Sequence, residues 1–352
     1  MTTLKMKTAE AYDATDPIVF LGQGDLDFLG QAINLSARRR SRICTHRSVQ
    51  ELLHEMFVIY SNQTYVRANK HIGKDESIFV IRGEADFLFF DDDGKLLEVV
   101  CMGDVASGKA YYCRVPEGVY HTIIMRSPET ILFEGTPGPF NPAETVYADW
   151  APPESDPIAI AAYIGSLNEQ IRSWKGRQGL IGLEKINDLV LTATDQVVTF
   201  SQTENDYLQD ELRTRKLDRL RICAHKSGDD RLHEMLMAFS NSTYVRPSLH
   251  VDKEESLYFL DGFGTYVFFD QQGNQTDAVP LGPLGSGRSF YCRVPANTYH
   301  SLIVESDSIL VKETTSGPFR RSDTVFASWS PDGSDPVAAR NYVDSIRTKL
   351  QG

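Results

Sequence analysis

Apolar residues occur along most of this chain in short runs, and turn-forming segments interrupt them. The runs are rich in Val, Ile, Phe and Tyr, and the interruptions include DDDG (91–94), VPEG (115–118), TPGP (136–139) and QQGN (271–274). Short strands at even spacing, without helices between them, indicate an all-β sandwich or barrel.

Helical patterns precede and follow these sets of strands. The segments 24–40 (GDLDFLGQAINLSARRR) and 204–217 (ENDYLQDELRTRKL) each come before a set of strand-like runs. A closing helix is predicted after each SDP tripeptide, where Pro157 and Pro336 suit the first helical turn. The pattern therefore predicts β-barrels with flanking N- and C-terminal helices.

The chain contains the same passage twice. RICTHRSVQELLHEM (42–56) returns as RICAHKSGDDRLHEM (221–235), and YYCRVPEGVYH (111–121) returns as FYCRVPANTYH (290–300). The offset is 179 residues at each pair, so one fold has been duplicated without insertions in the matched region. We predict an N-terminal domain over 1–170, a linker over 171–194, and a C-terminal domain over 195–352.

Composition and charge limit the classes of partner that this protein can bind. The 352 residues carry a net charge of −12, and the longest basic run is ARRRSR at 37–42, which argues against nucleic acid or an anionic membrane as a partner. No apolar run approaches the length of a membrane-spanning helix, and the N-terminus lacks the apolar core of a secretory signal. The five cysteines include no CxxC pair, which favours reduced thiols and a cytoplasmic location.

Two histidines and one glutamate recur at the same spacing in both copies. They are His71, Glu76 and His121 in the first copy, and His250, Glu255 and His300 in the second. A short turn after His71 can return Glu76 opposite it, and a later strand supplies His121. Two imidazoles and one carboxylate form the ligand set of a non-haem Fe(II) triad, although zinc and manganese accept similar ligands. Hydrogen-bonded core or pocket histidines are the alternative interpretation.

Other repeated polar residues are candidates for substrate binding or catalysis. Strand alternation predicts that Arg67 and Asn69 share the face of His71, and we assign substrate binding to Arg67, Asn69, Arg114 and their repeats Arg246, Ser248, Arg293. We assign catalytic roles to His54, His233, Tyr112 and Tyr291. Structural hydrogen bonds or ion pairs are the alternatives for these residues, as they are for His46, His225, Glu134 and Glu313.

The motifs HIGKDESIFVIRG (71–83) and PEGVYH (116–121) resemble the two motifs of the cupins, which form a double-stranded β-helix or jelly-roll. The wider frame, with ARRRSRICTH, LHEM, YVR, FDDDG, GPF and ADWAPPE, resembles the WbuC family of cupin-fold metalloproteins over both repeats. The resemblance implies two tandem cupin barrels, a bicupin. It also implies that His71, Glu76, His121, His250, Glu255 and His300 are the metal ligands. Asn69 and Ser248 replace the first histidine of the cupin HxH motif, which either opens a coordination position or disables the site.

Three functions are consistent with this sequence. The first is a metal-dependent enzyme that uses Fe(II) and O₂ on a small polar or anionic metabolite. The second is a non-oxidative lyase or isomerase, conceivably acting on sugar-derived substrates of surface-polysaccharide synthesis, and the third is a non-catalytic metal- or ligand-binding protein. Iron is the favoured metal, with zinc, manganese and nickel as alternatives. The predicted partner is a small anionic or oxygen-rich substrate, and a homodimer is the alternative to a monomer.

Overall fold

A computed structural model describes residues 1–176 and 179–350 and consists mainly of β-strands. The all-β prediction is confirmed, because the strands form two barrels, each built from an eight-stranded and a five-stranded sheet. The described residues include four α-helices, which are α1 (Gln23–Ala32), α2 (Pro157–Ser173), α3 (Gln202–Thr214) and α4 (Pro336–Leu350). None of these helices is both long and apolar enough to cross a lipid bilayer.

Thirteen described strands belong to the first half of the chain. They are β1 (Leu4–Thr8), β2 (Ala11–Ala14), β3 (Val19–Leu21), β4 (Arg40–Cys44), β5 (Leu53–Ser61), β6 (Asn69–His71), β7 (Glu76–Arg82), β8 (Glu84–Phe90), β9 (Leu96–Gly103), β10 (Tyr112–Val115), β11 (Tyr120–Met125), β12 (Glu129–Pro137) and β13 (Thr145–Tyr147).

The second half repeats this order. Its strands are β14 (Leu183–Asn187), β15 (Val190–Ala193), β16 (Val198–Phe200), β17 (Arg219–Cys223), β18 (Leu232–Ser240), β19 (Ser248–His250), β20 (Glu255–Asp261), β21 (Gly264–Phe269), β22 (Gln275–Leu281), β23 (Tyr291–Val294), β24 (Tyr299–Val304), β25 (Ser308–Ser316) and β26 (Thr324–Phe326). The structural repeat therefore begins at Leu4 and Leu183, well before the matched sequence motifs.

The two barrels exchange one strand each. The eight-stranded sheet of the first barrel has the order β1-β2-β4-β5-β12-β7-β10-β16, so its last strand comes from the second half of the chain. The corresponding sheet of the second barrel ends reciprocally in β3. The domain boundaries proposed from the sequence stay a prediction. Within the proposed linker the structure describes the hairpin β14–β15, whereas residues 177 and 178 lie outside the described part, as do 351 and 352.

The outer faces of the two large sheets pack against each other across a shared apolar core. Phe57, Phe79 and Phe133 from the first half meet Tyr258 and Phe290 from the second half. Because side chains alternate along each strand, the opposite faces of the same strands fill the two barrel interiors. Each candidate site therefore lies inside its own barrel, and the interface lies between the barrels.

Two buried carboxylates in this interface bind the opposite half. Glu55 accepts hydrogen bonds from Ser256, Tyr291 and Arg293, at 2.6, 2.7 and 2.9 Å. Glu234, its repeat, accepts hydrogen bonds from Ser77 at 2.7 Å and Tyr112 at 2.6 Å, and its carboxylate lies 3.7 Å from Arg114. Residues related by the 179-residue offset make the same contacts in both directions, which is the pattern of a two-fold interface.

Two details of the predicted element order are wrong. Three strands precede each first helix, so the helix is not the first element of either copy. The helix predicted over 24–40 ends at Ala32 and is followed by a short 3-10 turn (Ile33–Leu35), after which Arg40 already begins β4. Arg40 pairs with Tyr60 in the large sheet, and these backbone hydrogen bonds outweigh the local helical preference of the polar run.

Candidate metal centres

The three repeated side chains of the first copy come from three strands, two in the five-stranded sheet and one in the eight-stranded sheet. His71 ends β6, Glu76 begins β7, and the turn between them contains Gly73 with a positive φ of 72°. His121 lies on β11 opposite Asn69, and the backbone N–H of Gly118 donates to the carbonyl of His71 at 2.7 Å. These backbone contacts place the three side chains at one end of the barrel interior.

The ligand atoms converge in both barrels. The Nε2 atoms of His71 and His121 each lie 3.3 Å from Oε2 of Glu76. In the second barrel, His250 Nε2 lies 3.0 Å from Glu255 Oε2, and His300 Nε2 lies 3.6 Å from Glu255 Oε1. In each group all three candidate ligand atoms lie within 4.8 Å of one another, which is close enough to share one ion.

Outer hydrogen bonds hold the imidazoles in the orientation that a metal requires. The Nδ1 atoms of His121 and His300 lie 3.0 and 2.8 Å from the carbonyls of Val119 and Thr298. Those of His71 and His250 lie 3.3 and 3.2 Å from the hydroxyls of Thr145 and Thr324. A proton on Nδ1 leaves Nε2 as a lone-pair donor directed at the carboxylate, so the residues fit a divalent ion.

The carboxylates in these groups are held in the charged form. Burial favours the neutral form of Glu76, but the imidazoles of His71 and His121 outweigh it and keep the pKa of Glu76 well below its usual range. The same balance lowers the pKa of Glu255. Burial beside these charges raises the pKa of a second interior carboxyl in each barrel, Glu134 to about 7 and Glu313 to about 8.

The second site opens into a cavity of about 610 Å³. His250, Glu255 and His300 line it, together with an apolar wall that includes Met235, Met237, Phe239, Leu257 and Leu302. Its exposed rim includes residues 226–228 and 319–320, and Phe319 N donates to the carbonyl of Gly228 at 2.7 Å. A small molecule could therefore reach the candidate metal position from solvent.

At two interior positions, one barrel has a tyrosine where the other has a phenylalanine. Tyr60 in the first barrel donates to Glu134 at 3.0 Å, and its repeat is Phe239. Tyr266 in the second barrel donates to the ligand Glu255 at 2.6 Å, and its counterpart is Phe87, which stacks on His121. The same fold thus supports one tyrosine hydroxyl per site, directed at a different carboxylate in each.

Asn69 and Ser248 occupy the positions that the sequence assigned to a missing ligand. Asn69 pairs with His121 across the sheet, and its amide nitrogen donates to the carbonyl of Arg67 at 3.1 Å. Ser248 pairs with His300 and lines the second cavity. Their roles in substrate binding stay predictions.

Arg67 and Arg246, which were expected to lie beside Asn69 and Ser248, donate to backbone carbonyls instead. Arg67 donates to the carbonyls of Ala148 at 2.7 Å and Ala151 at 3.1 Å, and its guanidinium lies over the ring of Tyr147. Arg246 likewise donates to the carbonyl of Ala327. Both arginines lie in the loop before the short strand, where strand alternation does not apply. Their contacts are structural, and their role in substrate binding stays a prediction.

The predicted placement of Tyr112, Tyr291, Arg114 and Arg293 beside the metal positions is wrong. Tyr112 and Arg114 lie on the face of β10 opposite the barrel interior, because they pair with Phe79 and Ser77 rather than with Glu76. Their repeats Tyr291 and Arg293 have the corresponding position on β23. All four contact Glu55 or Glu234 in the interface between the barrels and therefore do not line the metal positions.

His54 and His233 stack on the histidines that precede them. The ring centroids of His46 and His54 are 4.2 Å apart, and those of His225 and His233 are 4.1 Å apart. The Nε2 atoms of His54 and His233 are buried without a hydrogen-bond partner among the described residues, and the His225–His233 pair lines the second cavity. A catalytic role for His54 and His233 stays a prediction.

These stacked pairs predict a loss of stability in mild acid. Burial, with the neighbouring imidazole, lowers the pKa of His46 to about 3 and that of His225 to about 4. These histidines bind protons near pH 6.5 in the unfolded chain but not in the folded chain, so the stability that they contribute falls as the pH drops below 6.5. Between pH 7.5 and 5 we expect a loss of about 2 kcal/mol per such histidine, measured by urea unfolding. His46→Leu with His225→Leu should flatten this slope, and an unchanged slope would contradict the assignment.

Three sets of site residues were missed by sequence reasoning. Thr145 and Thr324 hold the histidine Nδ1 atoms, Tyr60 and Tyr266 contact the carboxylates, and Arg221 lines the second cavity. The threonines recur at the repeat spacing and could have been identified from it. The tyrosines do not recur at the 179-residue offset and lie on different strands, so only the packing of each barrel shows which carboxylate each one contacts.

Comparisons with known proteins agree with a duplicated fold. A family model described as a domain of unknown function (DUF6016) matches residues 21–102 and 201–281, once in each copy. Among curated protein sequences, none matches this chain significantly.

Solved structures with a similar fold over most of this chain include those of a dioxygenase. Salicylate 1,2-dioxygenase from Pseudaminobacter salicylatoxidans is 12% identical over 86% of this chain and 84% of its own, with a TM-score of 0.55. The structure described as its adducts with gentisate is 12% identical over 85% of this chain and 80% of its own, with a TM-score of 0.54. At this identity the likeness establishes the fold alone, which is that of two tandem cupin barrels.

Proposed function

We propose that this bicupin is a metal-dependent enzyme acting on a small polar or anionic metabolite. The observation that carries the proposal is the convergence, in both barrels, of two Nε2 atoms and one carboxylate whose outer hydrogen bonds are already made. Fe(II) is the favoured ion, with zinc, manganese and nickel as alternatives. Three protein ligands leave coordination positions open for other molecules.

Each group of residues has a distinct role in this proposal. His71, Glu76 and His121 would hold one ion, and His250, Glu255 and His300 the other, while a bound Fe(II) ion would supply oxidative chemistry with O₂. The apolar wall of the second cavity would exclude water around the substrate, and Ser248 would contact its polar groups. His233, which lines the same cavity, would bind or orient the substrate.

The similar solved structures support an acidic substrate without identifying it. Salicylate and gentisate, named for the dioxygenase, are both aromatic carboxylic acids. We further propose membership of the WbuC-type cupins, a cytoplasmic location and a homodimer as the assembly to test.

One observation favours a second function, a non-oxidative lyase or isomerase. Glu313 lines the second cavity in addition to the ligand Glu255, so a carboxyl outside the ligand set is available near a bound substrate. Such a group could transfer a proton to or from the substrate while the metal acts as a Lewis acid.

Oxygen uptake separates these functions. Protein loaded with Fe(II) under anaerobic conditions would be mixed with aerated buffer and salicylate, gentisate or a panel of hydroxy acids. We expect uptake at least tenfold above that of the His250→Ala/His71→Ala variant with one of these acids. Deuterium incorporation into the acid from D₂O, without uptake, would favour the lyase or isomerase. Failure to bind any metal would contradict both enzymatic proposals.

A further inference from the structure

An arginine of the second cavity has an unused hydrogen-bond donor. The Nε atom of Arg221, which lies on β17, is buried and has no hydrogen-bond partner among the described residues. Two lysines that line the same cavity are already occupied. Lys226 donates to the carbonyl of Ala193 at 3.0 Å, and Lys253 forms an ion pair with Asp323 at 2.7 Å. A half-buried arginine in such a cavity is suited to bind a carboxylate through its planar fork.

Glu313 is the second group that a ligand would meet. The repeat of this residue, Glu134, accepts a hydrogen bond from Tyr60, but Phe239 replaces that tyrosine in the second barrel. Glu313 therefore lacks the donor that its counterpart has, although it faces the cavity. A carboxyl group can exchange a hydrogen bond with a hydroxyl in either protonation state, so a ligand hydroxyl would replace the missing tyrosine.

The two groups face one cavity from the strands on either side of β18. Arg221 pairs with Met237 on β18, and Met235 on the same strand pairs with Glu313 on β25. The methionines and Phe239 form an apolar surface beside the two polar groups. A ligand that satisfies this arrangement carries an anionic group, a hydroxyl and an apolar body.

We infer that the second cavity binds a small hydroxylated carboxylic acid, with its carboxylate on Arg221 and its hydroxyl on Glu313. The inference rests on the proposed function only in placing a metal ion at the same cavity, and it assigns Arg221 as the residue that selects an anion. The corresponding Arg42 in the first barrel is exposed and is the matched control.

Mandelate is a suitable probe, because it combines a carboxylate, a hydroxyl and an apolar ring. We expect Arg221→Gln to weaken mandelate binding to the metal-loaded protein at least tenfold, and Arg42→Gln to change it less than twofold, by calorimetry at physiological salt. Arg221→Lys, which keeps the charge without the planar fork, should recover part of the affinity. Mandelamide should bind the unaltered protein at least tenfold more weakly than mandelate.

Phenylacetate tests the contact with Glu313, because it lacks the hydroxyl. The preference for mandelate over phenylacetate should be at least threefold and should disappear in Glu313→Ala. A preference that persists there, or equal effects of the Arg221 and Arg42 substitutions, would overturn the inference.

Metal content measured on the same samples separates the two proposals. Arg221-dependent binding in protein that holds no metal would contradict the proposed function and support this inference. Full metal content, together with mandelate binding that does not depend on Arg221, would support the proposed function and contradict this inference.

Discussion

Replacing both His71 and His250 by alanine should abolish metal binding while leaving the barrels folded. Each substitution removes one Nε2 from a three-ligand group, and two ligands hold a divalent ion far more weakly than three. Neither side chain is part of the large apolar clusters, so the folding cost should be small. We expect about one ion to be lost per single substitution and no bound ion in the double variant, measured by elemental analysis of dialysed protein and by circular dichroism.

A histidine of the second barrel that is not a candidate ligand provides the control for this experiment. His225 is buried in its stacked pair and does not belong to the ligand group, so His225→Ala should retain both ions. Unchanged metal content in the double variant would show that the six repeated residues are not the ligands. A single ion in the unaltered chain, lost with only one of the two substitutions, would show that one copy no longer binds metal.

The sequence predicted the convergence of His71 and Glu76 because that part of the site depends on a local turn, whereas the assignment of metal ligands stays a prediction. The 179-residue offset relates two independent copies of each motif, and a short turn brings Glu76 back to His71 in any barrel of this type. The fold prediction also depends on short-range patterns, namely strand-forming runs and turns. These parts are independent of how the two barrels pack.

Other predictions failed where tertiary packing decides the outcome. Alternation correctly places Tyr112 and Arg114 on one face of β10, but which face points inward depends on pairing with β7. The outward face becomes buried only because a second barrel covers it. The exchange of β3 and β16 between barrels likewise involves pairs distant in the chain, such as Tyr112 with Phe200, which no local pattern specifies.

The interface supplies the largest expected effect on stability. Glu234 is completely buried, and its carboxylate lies 2.6 Å from the ammonium of Lys312, which is only 3% exposed. Glu234→Gln keeps the shape of the side chain but leaves Lys312 charged beside Thr314 and the ring of Phe133. Because an uncompensated buried charge is costly, we expect the free energy of unfolding to fall by about 3–5 kcal/mol in urea titrations.

The equivalent position in the first copy distinguishes loss of charge balance from loss of hydrogen bonds. Glu55→Gln should lower the free energy of unfolding by less, because Arg293 keeps its ion pairs with Glu51 and Glu254.

The exposed pair of Asp210 with Arg213 is the surface control, and Asp210→Asn should change stability by less than about 0.5 kcal/mol. Glu234→Leu combined with Lys312→Met should recover most of the loss, since it removes both charges together. Equal losses for Glu55→Gln and Glu234→Gln would show that the hydrogen bonds to tyrosine and serine, which both copies share, determine the stability of this interface.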